Sequence, residues 1–266
     1  MIDELRVQPG RPAELMARDA RATFGLDKAA GKDKLKELVE RLSILQQRLY
    51  AESERRLLLV LQGLDASGKD GVIRKVFTGV NPQGCRVVSF KAPTSTELAH
   101  DFLWRIHAAL PARGYIGVFN RSHYEDIVTV RMLGLVPEKV WKRRPRDVNA
   151  FERMLSDEGT TIVKVFLNVS KEEQAERFRE RIADPEKRWK FRKADLETHE
   201  RFEEYMSAYD EALEATSTRW APWHVVPADR NWVKSLAVAA LVVDALERMS
   251  PRLPDPEPGI EDLEIV

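Results

Sequence analysis

Residues 56–71 read RLLLVLQGLDASGKDG and carry the clearest structural signal in the chain. The first seven residues form an apolar run of the length expected for a strand that is buried on both faces. In the glycine-rich turn that follows, Gly63, four residues, Gly68 and Lys69 have the spacing of a Walker A loop. Because a helix-compatible segment comes next, backbone N–H groups and the helix N-terminus would face an anion. The stretch therefore predicts a phosphate site.

The phosphate-binding loop is expected to use both its backbone and its cations. Lys69 supplies a positive charge to the phosphates, and two cations on the following helix extend the positive track. The alternative is a strand–turn–helix connection in which the glycines serve geometry alone. The residues that we predict to bind phosphate here are Gly63, Ala66, Ser67, Gly68, Lys69, Asp70, Gly71, Arg74 and Lys75.

Two carboxylates in this loop are unusual. Asp70 stands where most Walker A loops have a serine or threonine, and Asp65 lies inside the turn. A carboxylate beside a phosphate repels it unless a metal ion lies between them, and Mg²⁺ prefers carboxylates, waters and phosphate oxygens as ligands. We interpret Asp65 as an acid that organises a metal ion or orients the acceptor. Asp70 either binds metal or favours the helix dipole, and both readings stay open.

The rest of the chain predicts an α/β fold. Further apolar runs occupy 86–90, 115–119, 161–169 and 223–228, and amphipathic helical stretches lie between them, the first from Asp33 to about Glu54. Such alternation implies three α/β/α layers around a five-stranded parallel sheet. A long Arg- and Glu-rich helical segment, interrupted at 183–195, resembles a lid over the strand ends. The predicted divisions are an irregular N-terminal lead-in (1–30), a catalytic domain (31–250) that includes the lid (about 171–216), and an acidic, proline-rich tail (251–266).

A second polar motif, VFNRSHYED at 118–126, follows the third apolar run. Asn120 stands where a Walker B strand normally ends in aspartate. Arg121 points into the crevice where α/β sheets bind ligands. Glu125 and Asp126, one turn later, can supply the missing negative charge, so we predict metal binding by these two acids and by Asn120. The alternatives are that Glu125 caps a helix with Ser122 and that Arg121 forms a surface ion pair.

The lid contains a basic stretch, DPEKRWKFRKAD at 184–195. We predict that Lys187, Arg188 and Lys190 bind phosphates, since cations closing over a transferring phosphoryl group stabilise its charge. Arg188 and Arg192 are four residues apart and are expected to share a helix face. The alternative is a solvated helix with a Glu186–Lys190 pair.

Composition excludes several classes of function. The chain has 266 residues with 43 Lys+Arg and 43 Asp+Glu, so a net charge of zero argues against a nucleic-acid-binding protein. No apolar run approaches 18 residues, so we expect no membrane span. A single cysteine, Cys85, cannot form an internal disulfide, which favours the cytoplasm.

Five stretches together resemble the polyphosphate kinase 2 family, in order and over residues 35–245. They are GLDASGKDG (63–71), PTSTELAHDFLWRIH (93–107), FNRSHYEDI (119–127), DPEKRWKF (184–191) and STRWAPWHVVPADRNW (217–232). The resemblance implies a P-loop kinase fold with a helical lid. It also implies Mg²⁺-dependent phosphoryl transfer between inorganic polyphosphate and a nucleotide. The expected partners are AMP, ADP and ATP, with guanine nucleotides left open, and a second copy of the chain in a dimer or tetramer.

The resemblance also implies roles for single residues. Asp65 and an acid near the second motif organise the metal and the acceptor phosphate, while Lys69 and Arg121 hold phosphates. Many family members have Asp-Arg-Ser-Trp-Tyr where this chain has Asn120 onward, and the variant here is similar to the subgroup that accepts both AMP and ADP. The predicted catalytic residues are Asp65, Lys69, Arg121 and Asp126.

Two other functions are compatible with the same residues. Loops with aspartate at the third position also occur in thymidylate-kinase-like enzymes, so an ATP-dependent nucleoside-monophosphate kinase is one alternative. A non-catalytic nucleotide-binding module is another, although two acids and the lid cations exceed what binding alone requires.

Overall fold

A single parallel sheet of five strands forms the centre of the computed structural model, which describes residues 1–260 and 263. The strand order is β2-β3-β1-β4-β5. Every strand lies within one residue of a predicted apolar run, so the α/β prediction is confirmed. The strands are β1 Arg56–Gln62, β2 Cys85–Ser89, β3 Ile116–Asn120, β4 Thr160–Asn168 and β5 Trp223–Pro227.

Helices connect the strands in the order expected for parallel pairing. The first long helix begins five residues earlier than predicted, because the side chain of Asp27 caps it by accepting hydrogen bonds from the N–H groups of Ala29 and Ala30. The helices are α1 Ile2–Leu5, α2 Lys28–Glu52, α3 Lys69–Val76, α4 Ser95–Leu98, α5 Trp104–Ala109, α6 Val128–Met132, α7 Glu138–Trp141, α8 Arg144–Asp157, α9 Lys171–Ala183, α10 Lys193–Glu200, α11 Phe202–Thr216 and α12 Asn231–Met249.

Strand β1 occupies the centre of the sheet and of the core. It pairs with β3 on one side and β4 on the other, with Leu59 opposite Val118 and Val163. Six of its seven residues are buried, as the uninterrupted apolar run predicts. The loop after β1 therefore emerges at the middle of the carboxyl edge of the sheet, where α/β proteins bind their ligands.

The lead-in and the tail flank this core. In the lead-in, Val7 donates a backbone hydrogen bond to Trp223 on the edge strand β5, and Leu5, Val7 and Leu15 are buried. Much of this segment thus packs against the sheet although it contains only one short helix, α1. Most of the predicted tail, 251–260 and 263, is described, and its remaining residues lie outside the described part. Among all the described residues, no helix is long and apolar enough to cross a membrane.

Candidate functional site

Backbone geometry explains the glycines of the phosphate-binding loop. Gly63 has a φ of 146° and Gly68 a φ of 97°, values that side chains rarely allow. A Cβ on Gly63 would also lie 2.8 Å from the carbonyl oxygen of Leu167. The loop thus turns sharply from β1 into α3, and Gly68 is the N-cap residue of that helix.

The ammonium group of Lys69 folds across this loop. It donates to the carbonyl oxygens of Gly63 at 2.7 Å and Leu64 at 3.2 Å, and its Nζ lies 3.4 Å from the hydroxyl oxygen of Ser67. Burial, together with the positive charge of Arg121, lowers the pKa of Lys69 to about 8. The charge of Lys69 therefore depends on pH in the range in which enzymes are assayed.

This pKa predicts an alkaline limb in the activity profile. Phosphate oxygens attract Lys69 only while it is protonated, so kcat/KM for a polyphosphate substrate should fall about tenfold per pH unit above pH ~8. Buried Lys234, with a pKa lowered to about 7, contacts only carbonyl oxygens, to which a neutral amine also donates. The measurement is kcat/KM between pH 6.5 and 9.5 at constant ionic strength, with circular dichroism as the control for folding. A flat profile to pH 9.5 would contradict the prediction.

Arg121 joins the two motifs. Its guanidinium contacts the carboxylate of Asp65 through one terminal nitrogen and that of Glu125, at 3.1 Å, through the other. Glu125 also accepts a hydrogen bond from the hydroxyl of Thr129 at 2.6 Å. Arg121 has a φ of 63°, an unusual value for this residue type that places its side chain between the two acids. Glu125 thus belongs to the ion-pair cluster, and Ser122 accepts instead from the N–H of Tyr124, so no Ser122–Glu125 capping box forms.

The electrostatics of this cluster favour an ionised Asp65. Burial raises the pKa of Asp65, but Arg121, Lys69 and Arg181 outweigh it and hold that pKa below its usual value. The negative charge of Glu125 raises the pKa of Arg121. Burial lowers that pKa, but the charge of Asp65 raises it as well. The site therefore keeps a charged Asp65 and a charged Arg121 side by side. Nothing in the sequence singles out Arg181, since it lies among many charged residues of α9.

Asn120 and Asp70 form a second polar pair beside this cluster. The Asn120 amide, at the end of β3, donates to the Asp70 carboxylate at 2.7 Å. Asp70 is 71% exposed, and Lys190 of the lid lies 4.0 Å from it. The structure thus pairs Asp70, which replaces the Walker A hydroxyl, with Asn120, which replaces the Walker B acid. It also places one predicted lid cation, Lys190, next to them.

Asp126 faces a different part of the molecule. Its carboxylate lies 3.4 Å from Arg105 of α5 and 3.5 Å from Arg144 of α8, and it makes no ion pair with Arg121. Burial raises its pKa despite these two cations. The structure therefore groups Glu125, rather than its neighbour Asp126, with Asp65.

The other predicted cations are more exposed. Arg74 and Lys75 lie in the last turn of α3, outside the loop itself. Lys187 pairs with Asp184 at 2.6 Å, and Arg188 donates to the backbone of its own segment. The expectation that Arg188 shares a helix face with Arg192 is wrong, since 188–190 is a short 3-10 turn that is separate from α10. The break lies at Phe191 and Arg192, whose extended backbone (ψ 132° and 152°) separates the turn from α10.

A cavity of about 310 Å³ lies beside the cluster of Asp65, Arg121 and Glu125. One wall consists of Asp65, Arg121 and Glu125, and the other comes from α10 and α11 of the lid, including Arg201 and Tyr205. Helix α11 buries eight of its 15 residues, so this end of the predicted lid is packed into the core. The cavity can admit a phosphorylated ligand between the loop and the lid.

A buried polar cluster supports the second motif from below. Lys164 of β4 donates to Glu152 at 2.6 Å and to the hydroxyl of Tyr124 at 2.8 Å, and that hydroxyl donates to Glu152. His123 also contacts Glu152, at 3.3 Å. These residues fix the segment that begins with Arg121. The sequence analysis missed Lys164, although a lysine inside the apolar run TIVKVFLNV was a signal for a buried ion pair.

Comparisons with known proteins show the family of the chain. A family model described as polyphosphate kinase 2 (PPK2) matches residues 25–254. The chain is 49% identical over 266 residues to the AMP/ADP-polyphosphate phosphotransferase of Meiothermus ruber, covering 99% of this chain and 100% of that protein. It is 47% identical over 237 residues to the ADP-polyphosphate phosphotransferase of Rhodopseudomonas palustris, covering 85% and 82%.

A solved structure shows the same fold. The crystal structure of polyphosphate kinase 2 from Arthrobacter aurescens TC1 superposes with a TM-score of 0.93 and is 42% identical in sequence. The superposition covers 98% of this chain and 93% of that one. The resemblance that the five sequence stretches indicated is confirmed, and the chain belongs to the polyphosphate kinase 2 family.

Proposed function

We propose that this phosphotransferase transfers the terminal phosphoryl group of inorganic polyphosphate to AMP and ADP with Mg²⁺, giving ADP and ATP, in a reaction that is reversible in principle. The observation that carries the proposal is the convergence of Asp65, Arg121 and Glu125 on one cavity. Gly63 and Leu64 of the loop also line this cavity, and Lys69 donates to their carbonyl oxygens. The names of the Meiothermus and Rhodopseudomonas relatives support polyphosphate, AMP and ADP as substrates.

The chemistry suits these side chains. The attacking oxygen belongs to a phosphate and is largely ionised at neutral pH, so the reaction needs no strong general base. It needs in-line positioning of two polyanions and neutralisation of the charge that spreads over the transferring group. Lys69 and Arg121 supply that neutralisation from the loop and from the second motif. Lys187, Arg188 and Lys190 hold the rest of the polyphosphate chain from the lid.

The acids fit a Mg²⁺ ion that substrate phosphates help to hold. Within residues 1–260 and 263, no three His, Cys, Asp or Glu side chains are grouped to bind a metal by themselves. Mg²⁺ bound to nucleotide phosphates typically needs only one or two protein carboxylates. Asp65 and Glu125 would hold it, with Asn120 nearby, because both acids already face one cation, Arg121. The ion would neutralise phosphate charge between donor and acceptor. Asp126 stays a prediction for this role.

A donor–acceptor matrix tests the proposal. Polyphosphate and ATP are each incubated with AMP, ADP, GMP and GDP in the presence of Mg²⁺, and products are separated by ion-exchange chromatography. We expect polyphosphate to convert AMP to ADP and ADP to ATP, and expect EDTA to abolish both reactions. Turnover with ATP as the sole effective donor would indicate a nucleoside-monophosphate kinase. Nucleotide binding without turnover for any donor would indicate a binding module.

We infer as well that the enzyme works in the cytoplasm as a dimer or tetramer. Strand β2 supports association, since it lies at the edge of the sheet and exposes three of its five residues, including Val87 at 47%. The single cysteine, Cys85, supports a reducing compartment. Light scattering coupled to size-exclusion chromatography measures the oligomeric state, and a monomer at assay concentrations would contradict the inference.

A further inference from the structure

Two cations contact the phosphate-binding loop through its carbonyl oxygens. The first is Arg177 of α9, whose side chain is only 11% exposed. One terminal nitrogen donates to the carbonyl oxygens of Ala66 at 2.8 Å and Ser67 at 3.2 Å. The other donates to those of Ala228 at 2.7 Å and Asp229 at 2.9 Å. One guanidinium thus ties the loop after β1 to the loop after β5.

The second cation is Lys234 in the first turns of α12, which is 2% exposed. Its Nζ donates to the carbonyl oxygen of Ser67 at 3.1 Å and lies 3.5 Å from that of Ala228. Any side chain on Gly68 would collide with this ammonium group. The lysine therefore adds a second reason, besides φ, why this position is glycine.

These contacts determine which way the loop's peptide groups point. In a trans peptide the C=O and the next N–H point in opposite directions. Arg177 and Lys234 hold the Ser67 oxygen, so the N–H of Gly68 points away from them. Within residues 1–260 and 263, the N–H groups of Gly68, Lys69 and Asp70 have no hydrogen-bond acceptor. Unpaired N–H groups at a helix N-terminus are the donors that bind a phosphate in such loops.

We propose that Arg177 and Lys234 are positioning residues that keep the loop in its phosphate-binding form before any ligand arrives. Without them the Ser67–Gly68 peptide can rotate and present a carbonyl oxygen to the phosphate. Because only a fraction of molecules would then have a competent loop, the apparent dissociation constant for every phosphate ligand would rise by the same factor. The inference rests on the proposed function only in taking the phosphates of polyphosphate and of ADP as ligands of this loop.

The test compares Arg177→Gln with Arg179→Gln. Arg179 lies on the same helix, is 70% exposed and pairs only with Glu176, so it is the matched control. We expect Arg177→Gln to raise the dissociation constants of tripolyphosphate and of ADP by the same factor, about tenfold, while kcat at saturation changes less than about threefold. Isothermal titration calorimetry measures binding without turnover, so this result stands even if the donor–acceptor matrix contradicts the proposed function.

A second variant guards against a purely structural effect. Lys234→Met removes the ammonium group at similar volume and should raise both dissociation constants in the same ratio, about threefold to tenfold. Arg177→Lys should recover part of the loss, since one ammonium can reach some of the four carbonyl oxygens. Melting temperatures are recorded for every variant. Unchanged dissociation constants in folded Arg177→Gln or Lys234→Met would overturn the proposal, as would a loss equal to that of Arg179→Gln.

Discussion

Replacing Lys69 by alanine is expected to lower kcat at least ~100-fold while the fold remains intact. One preorganised contact to the developing charge of a transition state typically contributes a factor of 10²–10³. Lys69 is placed for such a contact, because its ammonium lies on the loop, at the carbonyl oxygens of Gly63 and Leu64. The same loop has unpaired N–H groups that can bind a phosphate. In the absence of ligand it donates to Gly63 and Leu64, and a phosphate would offer it a stronger, charged acceptor. The measurement is initial-rate kinetics with saturating polyphosphate and ADP.

The matched control is Lys36→Ala, which removes an exposed lysine from α2. This variant has the same change in net charge, so any general effect of charge on the binding of a polyanion appears in both proteins. Thermal denaturation shows whether either substitution affects folding. A kcat of Lys69→Ala within a few-fold of the wild-type value would contradict a role of Lys69 in the phosphoryl transfer.

The sequence was sufficient for the sheet and for its central loop. An apolar run that ends in a glycine-rich turn has few structural solutions, and five apolar runs separated by helical stretches define a parallel α/β sheet. Residues 56–62 show this well, because a strand with neighbours on both sides and helices above and below needs no polar face. The break in the lid was predicted from the residues at 183–195, although a helical turn from Arg188 to Arg192 was expected within it.

The contacts within the site could not be predicted in the same way. Asp65 and Arg121 are 56 positions apart, and they meet because β1 and β3 are neighbours in the sheet. The choice between Glu125 and Asp126 depends on a local turn that sends adjacent side chains in different directions. Spacing alone does not specify that turn, whereas the backbone conformation of Arg121 and the position of Arg105 do.

Asp65→Asn is the other substitution for which we expect a large effect. The amide keeps the size of the carboxylate but lacks its charge, so it is a weak ligand for Mg²⁺ and a weak partner for Arg121. We expect kcat to fall at least ~100-fold and the half-saturating Mg²⁺ concentration to rise at least ~10-fold. Both values come from rate measurements over a Mg²⁺ titration at saturating polyphosphate and ADP.

The two readouts separate the roles that the loop carboxylate can have. Asp157→Asn is the matched control, since Asp157 is also paired with an arginine, Arg153 at 2.9 Å, but lies exposed on α8. A lower kcat with an unchanged Mg²⁺ requirement would assign Asp65 to orienting the acceptor instead of the metal. A kcat like that of wild type would contradict both roles. In that case the Asp65–Arg121 pair would only stabilise the loop, because no other described acid faces that arginine from the loop itself.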